Sequence, residues 1–106
     1  MNEDLVLIST TVEKKADGER LAALLLERRL VACVQISSPM TSIYRWQGQT
    51  VVAEEFLLVL KTRKKLYDQV EQLLLREHPY STPEILAQDI SRVGTSYRNW
   101  VMGETS

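Results

Sequence analysis

The chain has 106 residues, 44% hydrophobic and 25% charged, a composition typical of one globular domain spanning residues 1–106. Its net charge of −1 lacks the basic surplus expected of a protein that binds nucleic acid or an anionic membrane. No apolar run reaches the ~18–20 residues of a transmembrane helix, and the acidic start does not resemble a signal peptide. The single cysteine cannot form an internal disulfide. These features predict a cytoplasmic protein.

The first segments predict a strand followed by a helix. Residues 5–8 are a continuous apolar run, typical of a strand buried on both faces. A polar connection over residues 10–15 leads to a helix that runs to about Arg29, with Asp17 as its candidate N-cap.

Residues 31–62 predict two long strands that fold back at a turn over residues 47–49. Each arm reaches about 13 residues, against ~5–6 in a usual strand, and Pro39 predicts a bulge or an edge position in the first arm. An isolated two-stranded ribbon is marginal in water. The far end of this hairpin therefore needs a surface that one short chain does not provide, which is a first indication of an oligomer.

The second half predicts a helix, a strand and a closing helix. An apolar stripe at helical spacing follows residue 62, and Pro79 ends this helix. Residues 84–91 predict a fourth strand, and a short C-terminal helix begins at Thr95 or Ser96 as its cap. The order β-α-β-β-α-β with a long central hairpin predicts an α+β, ferredoxin-like fold with both main helices on one sheet face.

The other sheet face is also expected to be covered. Residues 5–8 and 56–60 are apolar at every position, so both faces of these strands are predicted to be buried. A soluble monomer rarely exposes a large apolar patch. Self-association through this face is the simplest explanation, and it is a second, independent indication of an oligomer.

Five segments carry a resemblance to a known family. They follow one another over nearly the whole chain: ERRLVACVQI, TSIYRWQG, KTR, HPYSTPEI and YRNWV. With them the chain resembles the CutA family of divalent-cation tolerance proteins. The resemblance implies a homotrimer whose ribbons wrap onto neighbouring subunits, a response to metal ions, and copper binding in some members. It also implies a likeness to PII-type signalling trimers, which bind small effectors between subunits.

A metal site is one functional prediction. His78 is the only histidine, and imidazole is a common metal ligand. The family pattern has a His-His pair before Pro-Tyr and a cysteine ending the first strand. Here Glu77 replaces the first histidine, and Ser9 or Thr10 stands at the cysteine position. The candidate ligands for Cu(II) or another divalent metal are therefore His78 and Glu77, and the alternative is a histidine that packs against the turn.

An effector site between subunits is the alternative prediction. Its candidate residues are Trp46, Lys61, Tyr80 and Glu84, which would combine aromatic walls with a few charged anchors. Lys61 ends an apolar strand and is expected to pair with Glu84 or Asp89 on a neighbouring strand or subunit. A purely structural role is also open, with aromatic side chains as interface anchors and the lysine–carboxylate pair fixing the register.

An enzyme or an RNA-binding protein is the least favoured class. The third strand carries Glu54 and Glu55 where an RNA-recognition domain has exposed aromatics and basic flanks. Cys33 lies in apolar surroundings and is expected to be a small hydrophobic side chain. Nothing in the sequence brings its element to that of His78, so no nucleophile with a paired base is indicated. We therefore expect no enzymatic activity.

Overall fold

The structure, a computed structural model, describes residues 4–106. Five strands and three α-helices make up this part of the chain, and a short 3₁₀ turn (Lys64–Leu66) precedes the second helix. In chain order they are β1 (Leu5–Val12), α1 (Lys15–Glu27), β2 (Cys33–Ile36), β3 (Met40–Trp46), β4 (Gln49–Arg63), α2 (Tyr67–Glu77), β5 (Leu86–Ile90) and α3 (Thr95–Glu104). The predicted α+β class is confirmed.

The sheet is antiparallel, with the order β2-β4-β1-β5, and β3 pairs with β4 beyond this path. The 15-residue strand β4 runs through the whole sheet. Its second part pairs with β1 and β2, and its first part pairs with β3 to form a ribbon over residues 40–55. The ribbon projects from the body of a molecule that measures 47 × 26 × 24 Å along its principal axes.

Two local features of the hairpin match the sequence predictions. Its first arm stops at the end of β2 and restarts as β3, with Pro39 in the gap. Ser37 ties this gap to β4, because its N–H donates to the Leu57 carbonyl and its hydroxyl accepts from the Leu57 N–H. At the turn, Gln47 and Gly48 have φ of 51° and 78°. Two consecutive left-handed residues suit a tight hairpin, and the glycine makes the second one favourable.

The first strand is longer than predicted. β1 continues to Val12, through the residues that the sequence assigned to a polar connection. Thr10 and Thr11 are buried, and Thr10 Oγ1 lies 3.1 Å from Nε2 of His78. The distant histidine supplies polar partners for a strand end that otherwise resembles a loop.

The start of α1 corrects the predicted cap. Lys14 occupies the N-cap position without a side-chain hydrogen bond, and Asp17 lies in the first turn, 3.9 Å from Arg20. An acidic residue there favours the positive helix end without capping it. Gly18 faces the sheet, where an added Cβ would lie 3.1 Å from Leu58 Cδ1. The glycine therefore permits close packing of α1 on the sheet.

The last strand and helix also differ from their predictions. β5 is shorter than residues 84–91, because it pairs only with the first part of β1. The N-cap position of α3 is Gly94, so neither Thr95 nor Ser96 caps this helix. Within residues 4–106, no helix combines the length and apolarity needed to span a membrane.

The main core lies between one sheet face and helices α1 and α2. Its buried members include Val6, Ile8, Val12, Leu21, Leu25, Leu58, Leu60, Val70, Leu73 and Leu74. On the opposite face, α3 covers one end of the sheet, where Val101 packs near Leu5 and Ala32.

The remainder of that second face is open to solvent in the single chain. We call it the open sheet face. It comprises Leu7, Cys33, Gln35, Leu57, Val59 and Leu86, which alternate with the core residues of their strands. Leu86 is 58% exposed, and the others are half-buried or exposed. Cys33 is therefore less buried than predicted. At the ribbon end, the paired side chains of Ile43 and Val52 are 68% and 67% exposed.

Candidate functional site

A cavity of about 540 Å³ lies between the ribbon and the loop that follows α2. We call it the ribbon cavity. Three aromatic rings and three carboxylates line it: Tyr44, Trp46, Tyr80, Glu13, Glu55 and Glu84. Tyr44 and Trp46 are two residues apart on β3 and so point to the same side of the ribbon. Glu55 lies on the same side of β4 as Leu57 and Val59, so the cavity continues the side of the sheet that carries the open face.

Glu55 is the buried carboxylate of this cavity. It is only 7% exposed, and its Oε2 accepts a 2.7 Å hydrogen bond from the Tyr80 hydroxyl. Within residues 4–106, its Oε1 has no hydrogen-bond partner. Burial raises the pKa of Tyr80, and the bond to Glu55 raises it further, so the phenol stays protonated and donates. Because Tyr80 binds only Oε2, Oε1 of Glu55 is left available to a ligand.

His78 supports the cavity from behind. Its Nε2–H donates to the Thr11 carbonyl at 2.9 Å, and its Nδ1 accepts the backbone N–H of Tyr80 at 3.0 Å. These two bonds define the neutral tautomer with the proton on Nε2. Burial lowers the pKa of His78, and the nearby Arg20 charge acts in the same direction. The imidazole is thus a neutral buried anchor that positions Tyr80, whose ring centroid lies 4.9 Å away.

Glu77 and His78, the residues predicted to hold a metal ion, are both engaged in hydrogen bonds within the protein. Arg20 donates to the Glu77 carboxylate at 3.3 Å and to its backbone carbonyl at 2.8 Å. Both nitrogens of His78 are engaged as described. Across residues 4–106, no three His, Cys, Asp or Glu side chains are grouped so that they could hold one metal ion. A metal ion at His78 would therefore replace an existing hydrogen bond.

The predicted effector residues are only partly brought together. Trp46, Tyr80 and Glu84 line the ribbon cavity. Lys61 instead lies near α3, with its Nζ 5.6 Å from the centre of the Tyr97 ring. Within the single chain, Asp89 instead forms a 3.2 Å ion pair with Lys64, and a pairing of Lys61 with a carboxylate of a neighbouring subunit stays a prediction.

Sequence reasoning missed Glu13 and Glu55 as cavity residues. The signal for Glu55 was its position on β4, where strand alternation places its carboxylate on the same side as Leu57 and Val59. A carboxylate among apolar side chains is costly to bury without a partner. Glu13 follows the unrecognised extension of β1, so nothing local to it indicated the cavity.

Comparison with known proteins identifies the family. The family model described as CutA1 divalent ion tolerance protein matches residues 6–104. The chain belongs to the CutA1 family. The divalent-cation tolerance protein CutA of Thermus thermophilus is 39% identical to this family member over 103 residues, which cover 97% of this chain and 98% of that protein. The resemblance inferred from the sequence is confirmed.

Solved structures of the CutA1 family share the fold. The crystal structure of CutA1 from Oryza sativa superimposes with a TM-score of 0.95 at 32% identity, covering 98% of this chain and 95% of that one. The periplasmic CutA of Archaeoglobus fulgidus gives a TM-score of 0.91 at 33% identity, covering 94% and 97%. A rice relative is named chloroplastic, so the compartment varies among CutA proteins.

Proposed function

We propose that this CutA-family chain acts in tolerance to divalent cations as a homotrimer that binds a small effector in the ribbon cavity. The cavity itself is the observation that carries the proposal. Its volume of about 540 Å³ suits a small molecule, for which typical sites measure ~300–1,000 Å³. Aromatic walls around one buried carboxylate are also typical of such sites.

The trimeric assembly is supported by apolar surface that the single chain leaves uncovered. The open sheet face is too apolar for a stable solvent boundary, and Ile43 and Val52 at the ribbon end are largely exposed. The strand order β2-β4-β1-β5, with α1 and α2 on one face, supports a ferredoxin-like protomer. Because the ribbon cavity adjoins the open side of the sheet, assembly through that side would place the site between subunits.

A binding role is favoured over catalysis, nucleic-acid binding or membrane association. Cys33 lies on β2, whereas the only histidine is buried with both ring nitrogens hydrogen-bonded. That arrangement offers no activated nucleophile. The net charge of −1 gives no electrostatic basis for binding a polyanion. The single cysteine supports a cytoplasmic location for this chain.

Binding of Cu(II) or another divalent ion by His78 and Glu77 is the second candidate. It is favoured by the presence of one imidazole beside a carboxylate and by the relatives' names, which refer to divalent cations. The hydrogen bonds of both side chains weigh against it, since a metal ion would have to displace them. The ribbon cavity needs no such rearrangement, and for that reason we place the effector first.

A thermal-shift screen separates the two candidates. Metabolites and divalent metal ions are tested on the wild type and on the variants Trp46→Ala, Trp100→Ala and His78→Ala, each compared with its own ligand-free Tm. Trp46 and Trp100 are 46% and 45% exposed, which makes Trp100→Ala a matched control. We expect a metabolite to raise Tm by several degrees, since binding at about 100 times Kd stabilises by ~2.7 kcal/mol. The shift should disappear in Trp46→Ala, become smaller in His78→Ala because His78 positions Tyr80, and persist in Trp100→Ala.

The opposite pattern would overturn the effector proposal. If Cu(II) alone raises Tm, and only His78→Ala abolishes the effect, the second candidate replaces the first. If a metabolite shift persists in Trp46→Ala, binding occurs outside the ribbon cavity.

A further inference from the structure

We propose that the ligand of the ribbon cavity is an organic cation of the aliphatic polyamine class, with ammonium groups joined by short methylene chains. This inference rests on the proposed effector function, which it deepens by naming the ligand chemistry. Three features of the cavity support it: the sign of its charge, the unpaired buried carboxylate, and the spacing of its acidic groups.

The charged groups in the cavity lining are all acidic, and aromatic rings and small or hydroxyl-bearing side chains make up the rest. Glu13, Glu55 and Glu84 contribute carboxylates, and no Lys, Arg or His belongs to the lining. An anionic ligand would be repelled by this arrangement. Ammonium groups are attracted both by the carboxylates and by the faces of the aromatic rings, of which Trp46 is the strongest attractor.

Glu55 supplies the strongest reason for a cationic ligand. It is more than nine-tenths buried, yet its one hydrogen bond within residues 4–106 comes from the neutral Tyr80 hydroxyl. No Lys, Arg or His of the described residues forms an ion pair with it. A buried carboxylate is costly without an opposite charge. A ligand ammonium at Oε1 would supply the missing partner.

The spacing of the acidic groups favours an extended cation over a bare metal ion. The three carboxylates line one cavity, but across residues 4–106 no three His, Cys, Asp or Glu side chains are grouped so that they could hold one metal ion. Glu55 is buried, whereas Glu13 and Glu84 are exposed. A chain with ammonium groups at separate points can meet more than one of these carboxylates, and its methylene groups can lie along the aromatic walls.

The test follows the fluorescence of Trp46 in a Trp100→Phe background, so that one tryptophan reports. Putrescine and spermidine are titrated at physiological salt, which screens non-specific attraction, and 1,4-butanediol serves as the uncharged match for putrescine. We expect saturable quenching by both amines and none by the diol. Glu55→Gln should weaken amine binding by about tenfold or more, because it removes a buried charge but keeps an acceptor for Tyr80.

The control variant is Glu54→Gln, which makes the same change at the preceding residue of β4. Glu54 is exposed and lies on the opposite side of the strand. It should leave the affinity unchanged. Equal binding of putrescine and the diol, equal losses in the two glutamine variants, or no saturable response to either amine would overturn the inference. If the amines fail but the screen finds another ligand that requires Trp46, only the polyamine assignment is wrong. If no ligand requires Trp46, the proposed function fails as well.

Discussion

Replacing Val59 by Asp is expected to dissociate the proposed trimer into monomers. Val59 lies in the middle of the open sheet face, between Ser9 on β1 and Gln35 on β2. In an assembly through this face, the new carboxylate would be buried without a cation. An uncompensated buried charge costs roughly 3–5 kcal/mol, which weakens association by more than about a hundredfold.

The measurement is light scattering coupled to gel filtration at micromolar concentration. Gln72→Asp, which puts the same charge on an exposed position of α2, is the matched control and should keep the wild-type mass. A folded Val59→Asp variant that also keeps the wild-type mass would show that the open sheet face is not the subunit interface.

Acidification below neutral pH is expected to destabilise the protein through His78. Burial lowers the pKa of the folded imidazole below the ordinary value of 6.5, so the unfolded chain takes up the proton first. The free energy of unfolding is then full above about pH 6.5 and falls as the pH drops from 6.5 towards the folded pKa. Protonation of Nδ1 also breaks the bond from the Tyr80 N–H. His78 is the only histidine, so this window reports on one side chain.

Chemical denaturation at about pH 7.5 and about pH 5.5, at one fixed protein concentration, tests this expectation. His78→Ala should lower the stability by roughly 2–4 kcal/mol at the higher pH, because it opens a gap and leaves the Thr11 carbonyl and the Tyr80 N–H unpaired. It should also be much less sensitive to the pH change. A variant that loses as much stability on acidification as the wild type would assign the effect to other groups.

Local signals in the sequence were sufficient for most of the fold. The apolar stripe after residue 62 identified α2, and Pro39 and Gly48 marked the break and the turn of the hairpin. Each of these follows from side-chain periodicity or from a backbone restriction at one residue. The strands that are apolar at every position also indicated that the second sheet face needs a cover.

Contacts between distant residues account for what the sequence did not reveal. β1 extends to Val12 because its second half pairs with β4, and His78, 68 residues from Thr10, supplies a polar partner there. Glu55 accepts a hydrogen bond from Tyr80, 25 residues away. Asp89 pairs with Lys64 rather than with Lys61. Propensity and spacing carry no information on such pairings, which depend on how the elements pack.

The mass of the wild-type particle in solution is the most direct test of this account, because both the covered sheet face and a site between subunits require several chains. Light scattering at micromolar concentration should report three times the 12.2 kDa chain mass. A well-folded particle with the mass of one chain would contradict the account.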